Sequence, residues 1–311
     1  MRLADILKGS LGIKRDEAVL IVTDYNKLEA VAKIEEASKA LADEVLTVKM
    51  KPRSRHGEEP PRAVAGAMLG SDVVIMPTTM SLSHTDARKK TCDAGGRVAS
   101  MPGITTAMLE NGGLHTNYGE MRKLTERIVE IGSKAEKIKI TSSPGCDFTA
   151  SIGGRKMIPD TGFLHTKGSF GNFPAGEAFV APVEGSSEGK LVFDGSFGGV
   201  GVLKEPVELE VRGGGAVRCT NAKLSKLIRT CRNADNIAEI GIGTNSAAKI
   251  IGNVLEDEKV HGTCHVAIGD NHAFGGKTIA EVHLDGIIKK PNIFLDGVAV
   301  VRDGEFLLGR V

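Results

Sequence analysis

The sequence predicts an α/β N-terminal domain with a parallel sheet over residues 1–135, followed by a β-rich α+β metal-binding domain over residues 136–311. Apolar runs alternate with helix-like segments in the first part, which is typical of a parallel sheet with helices on its faces. In the second part, short apolar runs are separated by Gly, Pro, Asn and Ser, as in strands joined by tight turns. Many of the 39 glycines lie beyond position 150, which also favours turns and strands there.

The first domain is predicted from four apolar runs and the segments between them. The runs are AVLIVTD (18–24), VLTVKM (45–50), DVVIMP (72–77) and RVASMPG (97–103). Helical spacing of apolar residues predicts helices over 27–44, over RAVAGAML up to Gly70, from about 84 to 94 with Ser83 as the N-cap, and over 120–137. No GxGxxG follows the first strand, so the sequence does not predict a dinucleotide site.

The second domain is predicted from short strands interrupted by two helices. The strand-like segments are KIKITSS, FTASIGG, EAFVAPV, KLVFDGS, PVELEVRGG and GAVRCT. The helices are predicted at about 222–231 and 246–255.

Composition excludes several classes of protein. With 40 basic and 39 acidic residues, no Trp and two Tyr, the chain lacks the charge and the aromatic platform of a nucleic-acid-binding protein. No segment approaches the roughly 20 apolar residues of a membrane span, and the first residues do not form a secretion signal. Five scattered cysteines without a CxxC argue against a disulfide framework and favour a cytoplasmic location.

Acidic and imidazole side chains occur within apolar runs in four segments of the second domain. The segments are GNFPAGEAFVAP with Glu177, AEIGIGTN with Glu239, GTCHVAIGDNHAFGG with His265 and His272, and VHLDG with His283 and Asp285. A buried charge is costly unless it is paired or bound to a metal. The four segments together therefore predict a shared metal site.

The His283-Leu284-Asp285 triplet suggests how two ligands would converge. Alternate residues of a strand point to the same face, so His283 and Asp285 would lie together while Leu284 faces the other way. Such a pair can share a metal, or it can be a simple hydrogen-bonded pair. Imidazoles with several carboxylates suit Zn, Co, Mn or Fe(II) better than Ca.

The segments PAGEAFVAP, AEIGIGTN, HVAIG and HLD, in this order, resemble the aminopeptidase T family of metallopeptidases, the thermophilic leucyl aminopeptidases. The resemblance covers most of the C-terminal half and only the outline of the N-terminal half. It implies two divalent metal ions (Zn, Co or Mn), held by Glu177, Glu239, His265, His283 and Asp285. A tyrosine of that family falls seven residues after the first histidine, where this chain has His272, which we predict takes its place as a ligand.

The resemblance to aminopeptidases also implies a reaction, the metal-assisted hydrolysis of an N-terminal peptide bond in a small peptide. Glu177 or Glu239 would act as the general base that accepts a proton from the bridging water, and the other would ligate or bridge the metals. The sequence leaves open which glutamate has which role. A symmetric homo-oligomer is expected from base rates alone.

A second resemblance is to a relative of these peptidases, 2,5-dihydroxypyridine dioxygenase. The run SLSHTDARKKTCDAGGRVASMPGIT (81–105) is similar to that branch. This resemblance implies a single Fe(II) held by His265, His283 and Asp285, the two-histidine, one-carboxylate set of oxygen-activating iron. The presence of both Glu177 and Glu239 favours the dinuclear peptidase. A third alternative is a binding protein on a degenerate peptidase scaffold, for which the replacement by His272 is the only support.

Overall fold

The structure, a computed structural model, describes residues 1–308 of the 311-residue chain. The chain forms two compact units, one containing residues 1–116 and 161–175 and the other containing residues 117–160 and the chain from 176 onward. The first unit contains a parallel sheet and the second contains antiparallel sheets. The predicted fold class is therefore confirmed.

The helices and strands are named here in chain order. The α-helices of the described residues are α1 (Leu3–Leu11), α2 (Leu28–Lys39), α3 (Arg62–Leu69), α4 (Asp86–Asp93), α5 (Thr106–Asn111), α6 (Tyr118–Gly132), α7 (Ala222–Thr230) and α8 (Val254–Asp257). The strands are β1 (Ala18–Asp24), β2 (Glu44–Met50), β3 (Val73–Met76), β4 (Arg97–Ser100), β5 (Lys137–Ser142), β6 (Cys146–Ser151), β7 (Ile158–Asp160), β8 (Phe170–Asn172), β9 (Glu177–Val180), β10 (Glu188–Phe193), β11 (Ser196–Phe197), β12 (Gly201–Val202), β13 (Val207–Arg212), β14 (Gly215–Cys219), β15 (Ile237–Gly243), β16 (Cys264–Gly269), β17 (His283–Ile288), β18 (Asn292–Leu295), β19 (Val298–Arg302) and β20 (Glu305–Phe306).

The first unit is built on a five-stranded parallel sheet in the order β2-β1-β3-β4-β8. Every residue of β3 and β4 is buried, as expected for central strands covered by helices. Val64 and Met68 of α3 pack in one apolar cluster with Leu20 and Val74 of the sheet. The fifth strand, β8, comes from the separate segment 161–175, where Gly171 pairs with Ala99.

Helix α4 begins two residues later than the Ser83 cap predicts. Thr85 is the N-cap, and its hydroxyl accepts a hydrogen bond of 3.2 Å from the Arg88 backbone N–H. The hydroxyl of Ser83 is instead 2.7 Å from that of Ser100, so Ser83 is not free to cap a helix.

The helix predicted over 246–255 is wrong, because only Val254–Asp257 is helical in this region. The side chain of Asn245 accepts hydrogen bonds from the backbone of Ala247 and Ala248, and the chain there forms a turn that does not continue as a helix. The carboxylate of Asp257 then accepts a bond of 2.7 Å from the Ile251 backbone N–H. Apolar spacing alone cannot reveal these competing bonds.

The second unit contains two antiparallel sheets that share one apolar core. The eight-stranded sheet has the order β14-β13-β10-β6-β5-β18-β19-β20, and the seven-stranded sheet has the order β12-β11-β17-β16-β15-β9-β7. Ile140 and Phe148 of the first and Ile240 and Val266 of the second belong to the same buried cluster. The two sheets are thus packed face to face. No helix within residues 1–308 is long and apolar enough to cross a membrane.

Candidate metal centre

The candidate ligands lie on four neighbouring strands of the seven-stranded sheet, on the face opposite the shared core. The core face of these strands carries Val180, Ile242, Val266 and Ile288, which are buried in the apolar cluster. Because side chains alternate along a strand, the intervening residues point to the opposite face. They include the candidates Glu177 on β9, Glu239 on β15, His265 on β16, and His283 and Asp285 on β17.

A β-bulge in β15 directs Glu239 to this face. The register of β15 with β16 shifts between Ile237, which pairs with Ile268, and Glu239, which pairs with Ala267. Both Ile237 and Ile240 belong to the apolar core although they are three residues apart. The additional residue restores the alternation, so Glu239 can face away from the core. Bulges of this kind often re-aim a side chain beside a functional site.

Two glycines of β15 make room for neighbouring groups. A Cβ on Gly241 would lie 2.0 Å from Nε2 of His265, its cross-strand partner. A Cβ on Gly243 would lie 2.1 Å from the carbonyl oxygen of Val260. The absence of a side chain at Gly241 therefore lets the His265 ring lie across β15. The absence of one at Gly243 lets Val260, which follows α8, approach the backbone of β15 closely.

The carboxylates and imidazoles form one connected network. Nε2 of His265 is 3.1 Å from Glu177 Oε2 and 3.3 Å from Glu239 Oε1. Nε2 of His283 is 3.4 Å from Glu239 Oε2 and 3.5 Å from Asp285 Oδ1. One carboxylate, Glu239, thus lies between the two imidazoles.

A backbone contact orients the His283 ring. Its Nδ1 is 2.7 Å from the carbonyl oxygen of Asp270, to which it donates a hydrogen bond. Nε2 is then the nitrogen with an available lone pair, and it faces the network. A backbone acceptor on the outer nitrogen is common for histidines that bind metals.

The network contains two groups that can each offer three ligand atoms to a cation. One consists of Glu239, His283 and Asp285 and the other of Glu177, Glu258 and His265, with the ligand atoms of each group within 4.8 Å of one another. Asp285 Oδ1 is buried and has no hydrogen bond, although a buried carboxylate oxygen ordinarily has a partner. This donor set of carboxylate oxygens and imidazole nitrogens fits Fe(II), Zn, Mn or Co.

A buried lysine completes the second group. Nζ of Lys259 contacts Glu177 Oε1, lies 2.6 Å from Glu258 Oε1 and 3.5 Å from Asp160 Oδ2, and the side chain is fully buried. Sequence reasoning missed Lys259 and the two other carboxylates that it contacts, Glu258 and Asp160. The run Glu256-Asp257-Glu258-Lys259 has the composition of a solvated surface, yet all four residues are buried. The proximity of this run to His265 along the chain was the only signal.

A sequence model of the family described as NicX, 2,5-dihydroxypyridine 5,6-dioxygenase, matches residues 6–308. The chain belongs to this family. It is 25% identical to the 2,5-dihydroxypyridine 5,6-dioxygenase of Pseudomonas putida, over 78% of this chain and 73% of that protein. The suspected relationship to this group of proteins is thereby confirmed.

Two solved structures show the same fold. The structure of the dioxygenase from Pseudomonas putida KT2440 is similar with a TM-score of 0.83 at 20% identity, covering 99% of this chain and 96% of that one. The structure of AmpT from Thermus thermophilus is similar with a TM-score of 0.69 at 14% identity, covering 98% of both chains. The dioxygenase structure and the AmpT structure therefore both have the fold of this chain.

In this member of the dioxygenase family, His272 lies apart from both ligand groups. It begins a short 3-10 turn, its side chain is 57% exposed, and Nδ1 is 3.5 Å from Asp270 Oδ1. Neither three-ligand group of the described residues includes it. The role of His272 as a metal ligand stays a prediction.

The network shifts the pKa values of several of its members, and not all of them towards the charged form. Burial acts to lower the pKa of His265, but its hydrogen bonds with Glu177 and Glu239 outweigh burial and hold that pKa above its ordinary value. Burial acts to raise the pKa of Glu239, but the two imidazoles hold it below its ordinary value. Glu239 thus has the charge that a bound cation requires, whereas burial raises the pKa of Glu258 to about 8.

Proposed function

We propose that the chain is a mononuclear Fe(II) dioxygenase that opens the ring of a hydroxylated pyridine. The observation that carries the proposal is the placement of His265, His283 and Asp285 on the neighbouring strands β16 and β17, around one shared carboxylate. Membership of the dioxygenase family over residues 6–308 supports it. The named relative from Pseudomonas putida supports the substrate class.

The ligands of the proposed iron are two imidazoles and one carboxylate. Nε2 of His283 and an oxygen of Asp285, from one ligand group, would hold the ion together with Nε2 of His265 from the other group, which leaves positions open for other ligands. When bound, Fe(II) supplies the activation of molecular oxygen. The protein holds its ligands on paired strands, where the backbone hydrogen bonds fix their spacing.

The two glutamates are suited to accept protons from the substrate. The hydroxyl groups of a dihydroxypyridine must lose protons as the ring is oxidised and opened. Glu239 and Glu177 are both buried, and both contact Nε2 of His265. Either carboxylate could therefore accept a proton beside the proposed iron ligand. We assign Glu239 as the proton acceptor, because it contacts both imidazoles.

Two phenylalanines make the border of the site aromatic. The ring of Phe274 is 5.8 Å from that of His283 and 5.7 Å from that of Phe179, both in edge-on contacts. His283 retains 26% exposure of its side chain, so the site is open on this side. An aromatic border next to a partly open ligand favours a flat ring substrate.

A second candidate function is metallo-aminopeptidase activity on small peptides. The group of Glu177, Glu258 and His265 favours it, since this group could hold a second divalent ion beside the first. Glu177 or Glu239 would then accept the proton of a bridging water. The structural similarity to AmpT shows a shared fold only.

A paired assay tests the two functions on one preparation. Oxygen uptake is measured with 2,5-dihydroxypyridine, Fe(II) and a reductant, and hydrolysis is measured with leucyl anilide and Zn, Co or Mn. We expect oxygen uptake that is lost in His283→Ala and retained in Lys190→Met, a control at a partly exposed lysine of β10 in the other sheet. Hydrolysis of leucyl anilide but not of its N-acetylated form, without oxygen uptake, would establish the peptidase instead.

A further inference from the structure

Lys259 is a cation enclosed by acidic groups of the second unit. Its side chain has no exposed surface, and its Nζ contacts Glu177, Glu258 and Asp160. A buried ammonium is tolerated only where carboxylates compensate its charge. Here three carboxylates surround one ammonium, and one of them, Glu177, also reaches His265 through its other oxygen.

The fold holds this lysine firmly beside β9 and β15. The carbonyl oxygen of Lys259 accepts a bond of 2.8 Å from the Asn245 backbone N–H, and Asn245 forms a β-bridge with Val260. The absence of a side chain on Gly243 permits this close approach. The backbone of Lys259 is thus held by contacts that do not involve the carboxylates.

The ammonium lies at the same group of ligands that could bind a second metal ion. Glu177 and Glu258 are two of the three members of that group, and Lys259 contacts both. A divalent ion bound there would be close to the ammonium, and the repulsion between two positive charges is strong in a buried site. The other group, with Glu239, His283 and Asp285, includes no carboxylate that Lys259 contacts.

We propose that Lys259 is a built-in cation that takes the place of a second metal ion and so makes the centre mononuclear. The inference rests on the proposed function in that it assumes one metal bound by His265, His283 and Asp285. Lys259 is a positioning residue in this account: it holds Glu177 and Glu258 without contacting the iron or the substrate.

The test is the number of metal ions bound by variants of the full chain. Each protein is equilibrated with Co²⁺, desalted and analysed for metal content. We expect one ion per chain for the wild type and for the control Lys190→Met, and two for Lys259→Met. The double variant Lys259→Met/Glu258→Gln should return to one, because it lacks a ligand of the second site.

Loss of the buried ammonium leaves three carboxylates together, so Lys259→Met is also followed by circular dichroism with and without Co²⁺. The proposal expects Co²⁺ to restore any lost structure, because the ion replaces the ammonium. A Lys259→Met protein that binds one ion, or that stays unfolded at saturating Co²⁺, overturns the proposal. Independently, calorimetric titration of the wild type to millimolar Co²⁺ should show one site, and a second site would overturn the proposal without any variant.

The two proposals fail in different ways. A wild type that binds one ion but consumes no oxygen with dihydroxypyridine refutes the proposed reaction and leaves the role of Lys259 intact. A wild type that binds two ions and consumes oxygen refutes the role of Lys259 and leaves the reaction intact.

Discussion

Glu239 is the residue at which the proposed chemistry is most open to test, since its carboxylate lies between the two imidazoles. In Glu239→Gln the amide keeps the shape but cannot accept a proton. We expect the fold and the iron content to be retained and the rate of oxygen uptake to fall by about 10²–10⁴-fold, the usual effect of losing a general base. Iron analysis and oxygen-electrode kinetics measure the two quantities separately.

The matched control is Asp285→Asn, which converts the carboxylate of a proposed ligand into an amide, as Glu239→Gln does for the proposed proton acceptor. This variant should lose iron as well as activity. Equal loss of iron in both variants would show that Glu239 is itself a ligand, which the dinuclear alternative requires.

The sequence indicated some residues of the site and could not indicate others. Glu177, Glu239 and His265 stand out because a charged or imidazole group within an apolar run requires a partner. Glu258 and Lys259 do not stand out, because their neighbours in the chain are also charged and such runs are ordinarily solvated. The sequence favoured a dinuclear peptidase because Glu177 and Glu239 are both present. It did not reveal Lys259, whose positive charge compensates the charge of Glu177.

Among the elements, strand β15 combines a bulge that aims Glu239 with a glycine that receives the His265 ring. A methyl group at Gly241 would overlap that ring. We therefore expect Gly241→Ala to lower the free energy of unfolding by about 1–3 kcal/mol, as overpacking of a core does, and to weaken metal binding. Urea unfolding and Co²⁺ titration measure these effects.

Gly66 provides the control, because it lies within α3 and a Cβ there would meet nothing within 4 Å. Gly66→Ala should raise the free energy of unfolding by about 0.5–1 kcal/mol, through the better helix propensity of alanine and the smaller entropy of its unfolded chain. If Gly241→Ala behaved in the same way, the His265 ring would not need the space above β15.

An ion pair connects two elements of the first unit. Arg97, at the start of β4, donates two hydrogen bonds to Glu17, which precedes β1, and both side chains are largely buried. Burial acts to raise the pKa of Glu17, but the bonds from Arg97 and from the Lys14 backbone N–H together outweigh burial and lower that pKa below its ordinary value. The stabilisation is therefore present at neutral pH and is lost as the pH falls through the lowered pKa.

Glu17→Gln should accordingly cost about 3 kcal/mol at pH 7, since it leaves Arg97 without its charged partner. The difference from the wild type should shrink as the pH falls through the lowered pKa of Glu17, where this carboxylate becomes protonated. Urea unfolding at a series of pH values measures it. A difference independent of pH would mean that packing, and not charge, makes Glu17 important.

At the scale of the whole molecule, the proposed iron site lies within the second unit. A ligand that binds only the folded state stabilises it by about 2.7 kcal/mol at 100 times its Kd. We expect metal addition to slow amide hydrogen exchange in β15, β16 and β17 more than in β1, β3 and β4 of the first unit. Mass spectrometry of exchange with and without Co²⁺ would show this, and an equal gain in both units would contradict it.

Local patterns predicted the overall architecture because most elements carry their own signal. The strand over 18–24 was predicted with its observed bounds, since the apolar residues 18–22 with polar residues on either side leave little choice. The pairing of β8 with β4 could not be predicted, because Phe170–Asn172 is too short for a periodic pattern and its partner is distant in the chain. The same limitation concealed the bulge at Glu239, which depends on the register of two strands.

The return of residues 161–175 to the first unit has a consequence for how the protein is made. On the ribosome, residues 1–116 emerge first, but their sheet lacks its fifth strand until β8 has been synthesised. Residues 117–160, which belong to the second unit, are completed in between. Until β8 has been synthesised, one edge of β4 in the nascent chain therefore has no partner strand. Such an open edge can pair with other chains. Folding of the first unit during translation, the usual order for large proteins, can therefore finish only after residue 175 has emerged.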